Sequence, residues 1–367
     1  MSGSTADARV VSGIAVAGVE SPAREREPLE AAALSAWNEL ARSPMQEWRW
    51  AEAWLAAFGA QYEPRILFAS GEGGGAILPL VRGRGLRGRL ELVGAAKLWE
   101  PTDVLGSDPD AVEELARTTA AWRLPLLLRR IPVESPLVPA FRRAFGRGAF
   151  ILEREGPGAP YVPLDPGWRS PELRLSAGRR SDFRRAHRRA EQAGPVSAEL
   201  LEPAPAEVSD LLDAAFRIEA AGWKGSRKTA LVHDAPRAVF FRHYALAAAE
   251  AGTLRLSFLR IGDRVAAFQL AVESHDRFWL LKIGYDEEFA RCSPGTLLMR
   301  ESIRWAADRG LAAYELLGSP EPWTRTWTRL EHRCLSLRIY PAGGRGLACL
   351  AADAAARVRL RLGRGGR

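Results

Sequence analysis

The stretch Phe278–Gly318, FWLLKIGYDEEFARCSPGTLLMRESIRWAADRGLAAYELLG, decides the fold. It begins with a short apolar run, and apolar residues then recur with helical spacing. The pattern predicts three elements in order: a strand at Phe278–Tyr285, a helix at Pro294–Arg309 and a strand at Ala312–Leu317. A strand, an amphipathic helix and a second strand in this order are typical of an α/β or mixed-sheet protein.

The turn between the first strand and the helix reads ARCSPGT, Ala290–Thr296. Ser293 is a favourable N-cap, and Pro294 then falls at the first helical position, where its missing N–H costs nothing. Gly295 carries no side chain at the point where the first N–H groups face outward. Because a helix N-terminus attracts anions, the turn predicts a phosphate site. The alternative is a well-capped helix with no ligand.

Charged residues on the first strand indicate a second feature. Alternation places Lys282, Gly284 and Asp286 on one face and Ile283 and Tyr285 on the other. The chain has only four lysines among its 52 basic residues, so a lysine here suggests that a compact ammonium is needed. The two interpretations are a polar groove and a lysine–aspartate pair that fixes the end of the strand.

The same patterns organise the rest of the second half of the chain. They predict helices at 170–193, 205–221, 236–251 and 347–362, and strands at 196–201, 254–261, 264–273 and 334–340. The first half repeats a similar order of meander, helix, strand and helix. The chain is long enough for two core-bearing domains.

Three segments carry a family resemblance: GWKGSRKTAL (Gly222–Leu231), the segment Lys282–Leu311 and YELLGSPEPWTRTWT (Tyr314–Thr328). Together they resemble the GNAT-superfamily acetyltransferases of the CelD/BcsL type, which are relatives of the FemAB aminoacyl transferases. The N-terminal half is similar through EWRWAEAWLAAFG, AILPLVRG, LELVG and PTDVLG. The resemblance covers roughly residues 30–345.

The resemblance implies an α/β fold of two tandem GNAT-like domains with mixed sheets. We expect four parts: a flexible leader at 1–28, a degenerate GNAT-like domain at 29–165, an acyltransferase domain at 166–345, and a basic terminal helix and tail at 346–367. The first half has the acidic segment Ser107–Asp110 where the second has its phosphate turn. It is therefore expected to bind no CoA and to line the acceptor site, with Trp99 and Asp103 in that role.

The implied activity is transfer of an acetyl or other acyl group from acyl-CoA to an amine or hydroxyl of a small polar or saccharide-type acceptor, in polysaccharide or cell-envelope biosynthesis. The pyrophosphate would bind at the turn, Arg291, Cys292, Ser293, Pro294, Gly295 and Thr296. Trp223 and Lys224 would lie beside the substrate pocket. Since amide formation removes a proton from the amine and returns one to the thiol, Glu219 and Asp286 are the candidate bases and Tyr285 the candidate acid, with Lys282 beside them.

Composition limits the remaining possibilities. The net charge is +8, mostly from arginine, which is compatible with phosphate-bearing ligands. The chain has three cysteines, Cys292, Cys334 and Cys349, and their spacing is not that of metal ligands, so we expect no metal. The N-terminal residues show no signal peptide or membrane span, which favours a cytoplasmic protein. The basic run Arg179–Arg189 is either a solvated helix face or a phosphate clamp.

Two other functions stay open at this point. One is a FemAB-like transferase that uses aminoacyl-tRNA, in which the basic run would contact the tRNA. The other is a catalytically silent GNAT-fold scaffold that binds a partner or a nucleotide sugar. Binding of CoA separates the acyltransferase from both, and salt-sensitive binding of tRNA would favour the FemAB-like function.

Overall fold

A computed structural model describes residues 8–11, 31–71, 74–85, 87–222 and 231–364. The chain forms two compact units. Unit 1 contains residues 1–157 and 333–367, and unit 2 contains residues 158–332. In the part of the chain that the structure describes, no helix is both long and apolar enough to cross a membrane.

The elements are numbered in chain order. The strands are β1 (Ala8–Val11), β2 (Tyr62–Gly71), β3 (Gly74–Gly83), β4 (Leu90–Leu92), β5 (Leu126–Pro132), β6 (Ala149–Pro163), β7 (Val196–Leu201), β8 (Leu254–Ile261), β9 (Arg264–Ser274), β10 (Arg277–Tyr285), β11 (Ala313–Glu315) and β12 (Glu331–Pro341). The helices are α1 (Ala31–Leu40), α2 (Trp48–Phe58), α3 (Ala95–Leu98), α4 (Pro109–Ala121), α5 (Leu137–Phe145), α6 (Ala177–Ala193), α7 (Val208–Ala221), α8 (Ala235–Glu250), α9 (Pro294–Asp308) and α10 (Gly344–Arg364).

Unit 1 is a mixed sheet in the order β1-β2-β3-β4-β5-β12. Its neighbours are antiparallel except β4 and β5, which pair in parallel at Leu90 and Leu126. The connection between these two strands contains α4. A parallel pair needs such a crossover, because a tight turn can join only antiparallel strands.

Unit 2 repeats this arrangement in the order β6-β11-β10-β9-β8-β7. All its pairs are antiparallel except β10 with β11, which α9 connects. The turn Ile261–Arg264 joins β8 to β9 as a two-residue hairpin, with Gly262 at φ 60°. A left-handed conformation of this kind is what glycine adopts most easily.

Helix α9 forms because one of its faces is apolar at helical spacing. That face is buried against the sheet of unit 2 through Leu297, Leu298, Met299, Ile303, Ala306 and Ala307. One polar contact lies within it, since the buried Ser302 hydroxyl is 2.9 Å from the Tyr314 hydroxyl. The packing of α9 places its N-terminus at the end of β10, where the phosphate turn was predicted.

The structure differs from the sequence-based expectation in three places. The helix expected from residue 170 begins at Ala177, after two short 3₁₀ turns. Within the expected leader, residues 8–11 form β1, which pairs with β2. Strand β12, over residues 333–341, and helix α10 belong to unit 1. Strand β12 pairs with the apolar strand LLLRRIP of β5, and its residues 335–339 alternate buried and half-buried positions.

Candidate active site

Strand β10 and its parallel neighbour separate partway along their length. They pair at three positions, Arg277–Trp279 with Ala313–Glu315, whereas β10 continues to Tyr285. Strand β11 ends there, and Leu317 follows with a left-handed φ of 53°. In the described part of unit 2, no strand therefore covers this edge of β10 from Lys282 to Tyr285. Pairing between β10 and β11 therefore stops at Trp279, six residues before β10 ends.

A β-bulge turns Lys282 toward this region. The register of β10 on β9 shifts between Leu280 and Lys282, so that Leu281 is an extra residue. Phe278 and Leu280 before the bulge and Ile283 after it all pack on the core under α9. Lys282 therefore lies on the opposite face, together with Gly284.

On that face Lys282 meets a buried carboxylate. The Lys282 Nζ lies 3.8 Å from the Glu219 Oε1, and 5.0 Å from the centre of the Phe241 ring. The Glu219 side chain is 0% exposed and that of Lys282 is 21% exposed. The other carboxylate oxygen of Glu219 accepts a hydrogen bond of 2.8 Å from the N–H of Leu231. Lys282 is thus the more accessible member of the pair.

Two glycines allow helix α7, which carries Glu219, to approach β10. A Cβ on Gly284 would lie 2.5 Å from the Phe268 ring and 3.3 Å from the Glu219 Cα. A Cβ on Gly222, just after α7, would lie 2.6 Å from the carbonyl oxygen of Tyr285. Larger residues at these positions would push the Glu219 carboxylate away from the strand.

Tyr285 lies between this strand and the phosphate turn. Its ring packs partly on the core of unit 2, and its Cδ1 is 3.8 Å from the position of a Cβ on Gly295. Burial and the nearby Glu287 carboxylate raise the pKa of the Tyr285 phenol above its usual value. The phenol therefore keeps its proton at neutral pH and can donate it.

The turn before α9 is more strained than the sequence predicted. Residues 287–292 form a 3₁₀ helix, and Ser293 adopts a left-handed conformation with φ 49° and ψ 50°. The expected cap is absent, because the Ser293 side chain makes no hydrogen bond to the start of α9. Its carbonyl instead accepts from the N–H groups of Thr296 and Leu297. A left-handed serine costs about 1–2 kcal/mol, and such strain is often retained at binding sites.

The other residues of the turn contribute mainly backbone. Pro294 occupies the first position of α9, as predicted, and is buried. Cys292 is also buried, so its thiol faces the core and not the turn surface. Arg291 is exposed, and its carbonyl accepts a 3.2 Å hydrogen bond from the Arg189 guanidinium of α6. Cys292 could therefore contact a phosphate only through its backbone, not through its thiol.

Both carboxylate oxygens of Asp286 accept hydrogen bonds from other residues of the protein. One carboxylate oxygen accepts from the N–H of Glu288 at 3.0 Å, and the other accepts from Arg264 at 2.7 Å. The predicted pair with Lys282 does not form, because the ammonium lies beside Glu219. Asp286 therefore fits a role in shaping the turn better than the role of a base.

We expect Asp286→Asn to lower the free energy of unfolding by about 1 kcal/mol, because the ion pair is lost while the amide oxygen can still accept from Glu288. Turnover of the folded protein should stay within about twofold. Thermal melting and acyl-transfer rates measured on the same preparation check this prediction, and a large loss of turnover with unchanged melting would contradict it.

The corresponding helix of unit 1 has a filled N-terminus. The Asp108 carboxylate accepts a 2.8 Å hydrogen bond from the N–H of Ala111 and caps α4, with Pro109 at the first position. This negative charge sits where a phosphate would have to bind. Helix α9 has no such side-chain cap.

Of the expected acceptor residues, Trp99 and Asp103 lie in unit 1. Trp99 is 43% exposed, with φ 67°. Asp103 accepts hydrogen bonds from the Ser135 hydroxyl at 2.6 Å and from the N–H of Val104 at 2.9 Å. Burial nevertheless raises the pKa of the Asp103 carboxyl to about 7. Trp223 and Lys224, also predicted to bind substrate, lie outside the described residues.

This carboxyl predicts a pH effect on stability. The pKa of the Asp103 carboxyl is 3.8 in the unfolded chain and about 7 in the folded protein. Its contribution to the free energy of unfolding is therefore fully present below pH 4 and is lost as the pH rises to 7. Asp103→Asn does not titrate. At pH 8 it should be about 2 kcal/mol more stable than wild type, allowing for the partial exposure of the residue, and at pH 4 equal to it. Urea unfolding at both pH values tests this; an equal difference at both would contradict it.

Sequence reasoning missed several partners of these residues. It did not predict that Arg264 would hold Asp286 or that Phe241 would lie beside Lys282. Both contacts join elements that are distant in the sequence, so no local pattern indicated them. Among the residues described, no group of three histidine, cysteine or acidic side chains could hold a metal ion.

Comparisons with known proteins concern the fold of the chain. Residues 177–325 match the family described as "Acetyltransferase (GNAT) domain". The chain is similar to the crystal structure of FemX, with a TM-score of 0.56 and 11% identity over 84% of this chain and 96% of that one. It is also similar to L-PGS from Bacillus licheniformis, with a TM-score of 0.50 and 11% identity over 90% and 97%.

A third similar structure is a conserved protein of unknown function from Bacteroides thetaiotaomicron, with a TM-score of 0.52 and 11% identity over 83% of this chain and 97% of that one. No curated protein sequence matches the chain significantly. At these identities the likeness establishes the fold alone. The predicted fold class, α/β with tandem GNAT-like units and mixed sheets, is confirmed.

Proposed function

We propose that unit 2 is an acyl-CoA-dependent acyltransferase domain that transfers an acetyl or other short acyl group to an amine or hydroxyl. The observation that carries the proposal is the separation of β10 from β11 next to an uncapped helix N-terminus, within the segment that matches the GNAT domain. An extended thioester arm could lie along β10 beyond the point where β11 ends, while its pyrophosphate binds at the turn.

The turn supports donor binding through a small set of groups. The Ser293 hydroxyl is not used as a helix cap, and Gly295 leaves space in front of the first turn of α9. Arg291 is exposed at the same turn and can add a charge-assisted contact. These features together suit a diphosphate better than an apolar ligand.

The chemistry needs one proton acceptor and one proton donor. The acceptor nitrogen or oxygen attacks the thioester carbonyl carbon, the C–S bond breaks, and the new amide or ester bond forms. We assign the acceptor's proton to a relay in which the Lys282 ammonium gives one of its protons to the Glu219 carboxylate and takes up the proton that the acceptor loses. Lys282 can face the acceptor because it is the more exposed member of the pair. Tyr285, whose phenol is protonated at neutral pH, donates its proton to the leaving thiolate.

Two measurements on the purified chain test this function. Calorimetric titration should show one CoA bound per chain, because Asp108 fills the corresponding helix N-terminus of unit 1. Release of free thiol from acetyl-CoA in the presence of polyamine or amino-sugar acceptors should show turnover. Absence of CoA binding would contradict the proposal, and two CoA molecules per chain would contradict the assignment to unit 2.

The acceptor class is a further part of the proposal. The sequence resemblance to the CelD/BcsL type favours a saccharide precursor in polysaccharide or cell-envelope biosynthesis. Acyl-CoA is a cytosolic metabolite, so the reaction would take place in the cytoplasm. A screen of nucleotide sugars and amino sugars, with thiol release as the signal, tests the acceptor.

A FemAB-like transfer from aminoacyl-tRNA is the second candidate. The observation that favours it is the strongly basic α6, which carries Arg179, Arg180, Arg184, Arg185, Arg188 and Arg189 against Asp182 and Glu191. Similarity of fold to FemX is compatible with it. Binding of tRNA that weakens steeply with salt, together with no binding of CoA, would favour this function over the first.

A further inference from the structure

A groove on unit 2 lies between α6 and α9. It has a volume of about 450 Å³ and is lined by Glu172, Arg180, Phe183, Arg184, His187, Arg188 and Arg300. Phe183 is buried, packs edge-on against Trp327 and forms the floor. Most of the groove wall is thus cationic.

Within the described residues, two of these arginines have no acidic partner. Among the described residues, no carboxylate forms an ion pair with Arg184 or Arg188, which lie one turn apart on α6. By contrast, the neighbouring Arg185 is paired with Asp182, on a different face of the helix. Two adjacent guanidinium groups repel each other, so an anion placed between them would be strongly favoured.

The remaining cations border the groove from both helices. Arg300 of α9 lies 3.6 Å from Glu172 and 2.6 Å from Glu301. Arg180 donates to the carbonyl of Leu175 at 2.6 Å, which holds its guanidinium at the groove wall. The charges are therefore positioned by the fold before any ligand binds.

The groove adjoins the turn that is proposed to bind the pyrophosphate. Arg189, next to Arg188 on α6, donates to the carbonyl of Arg291 in that turn. Along α9, Arg300 lies six residues beyond Pro294, or about 9 Å at the helical rise. The part of the groove that Arg300 lines is thus about the length of one nucleoside from the turn along α9.

We propose that this groove binds the phosphate carried on the ribose of the acyl-CoA donor, its 3′-phosphate, between Arg184 and Arg188. The inference rests on the proposed function, since it assigns a second part of the same donor. A single nucleotide fits the volume of the groove. The Glu172 carboxylate also lines the groove and would repel further phosphates, which favours one nucleotide over an RNA strand.

The test compares CoA with 3′-dephospho-CoA by calorimetry on the full chain. Wild type should bind CoA about tenfold more tightly than dephospho-CoA. The double variant Arg184→Gln/Arg188→Gln should bind both equally, at the affinity that wild type has for dephospho-CoA. The matched control is Arg185→Gln, which removes a paired arginine from the same helix and should keep the tenfold preference.

Each other outcome overturns the inference. If wild type binds CoA and dephospho-CoA with equal affinity, the groove does not bind the 3′-phosphate, although the proposed function stands. If wild type binds neither, both the inference and the proposed function fail. If the double variant still binds CoA more tightly than dephospho-CoA but loses affinity for a tRNA acceptor-stem oligonucleotide, the two arginines bind RNA and not the 3′-phosphate.

Discussion

Replacing Glu219 by Gln is expected to lower kcat/KM for acyl transfer by about 100-fold, while the affinity for CoA stays within about twofold. Loss of a general base costs about two to four orders of magnitude in rate. Gln keeps the shape of the side chain and an oxygen that can still accept from the N–H of Leu231. Pre-steady-state rates and CoA titrations on the same preparation measure the two quantities separately.

Asp286→Asn is the matched control, because it removes a carboxylate of the same unit that is already held by Arg264. The variant Lys282→Met is a second test of the same assignment. If Glu219 acts as a base reached through Lys282, this variant should also lose rate with little change in CoA affinity. If Glu219→Gln instead melts several degrees lower and its folded fraction turns over normally, Glu219 stabilises the fold and the base lies elsewhere.

The second large effect is expected at the phosphate turn. Gly295→Glu should weaken CoA binding by about 100-fold or more, because it places a negative charge at the N-terminus of α9. The variant should still fold. The nearest atom to a Cβ at this position is the Tyr285 Cδ1 at 3.8 Å, which is an ordinary contact distance.

Gly295→Ala is the control for this change, since it adds the same Cβ without charge, and its CoA affinity should stay within a few-fold of wild type. Circular dichroism of both variants should match wild type. Unchanged CoA affinity of a folded Gly295→Glu would show that the donor phosphates bind at another place.

The elements of unit 2 could be predicted from local patterns. The strands β7, β8 and β9 and the helix α9 fall within a residue or two of their predicted bounds, because each has a clear apolar period and a marked beginning or end. Pro294 marked the start of α9 for the physical reason that it lacks an N–H. The family resemblance extended this local prediction to tandem GNAT-like units.

The sequence by itself therefore determined where the helix after β10 begins, that a glycine follows that start, and which residues form the apolar face of α9. Tertiary structure decided the rest. The bulge at Leu281 sets the face of Lys282, and the pairing of Lys282 with Glu219 joins residues 63 positions apart. The strand β12 joined unit 1 for a similar reason: strand partners are chosen by packing across the whole chain, which no local pattern contains.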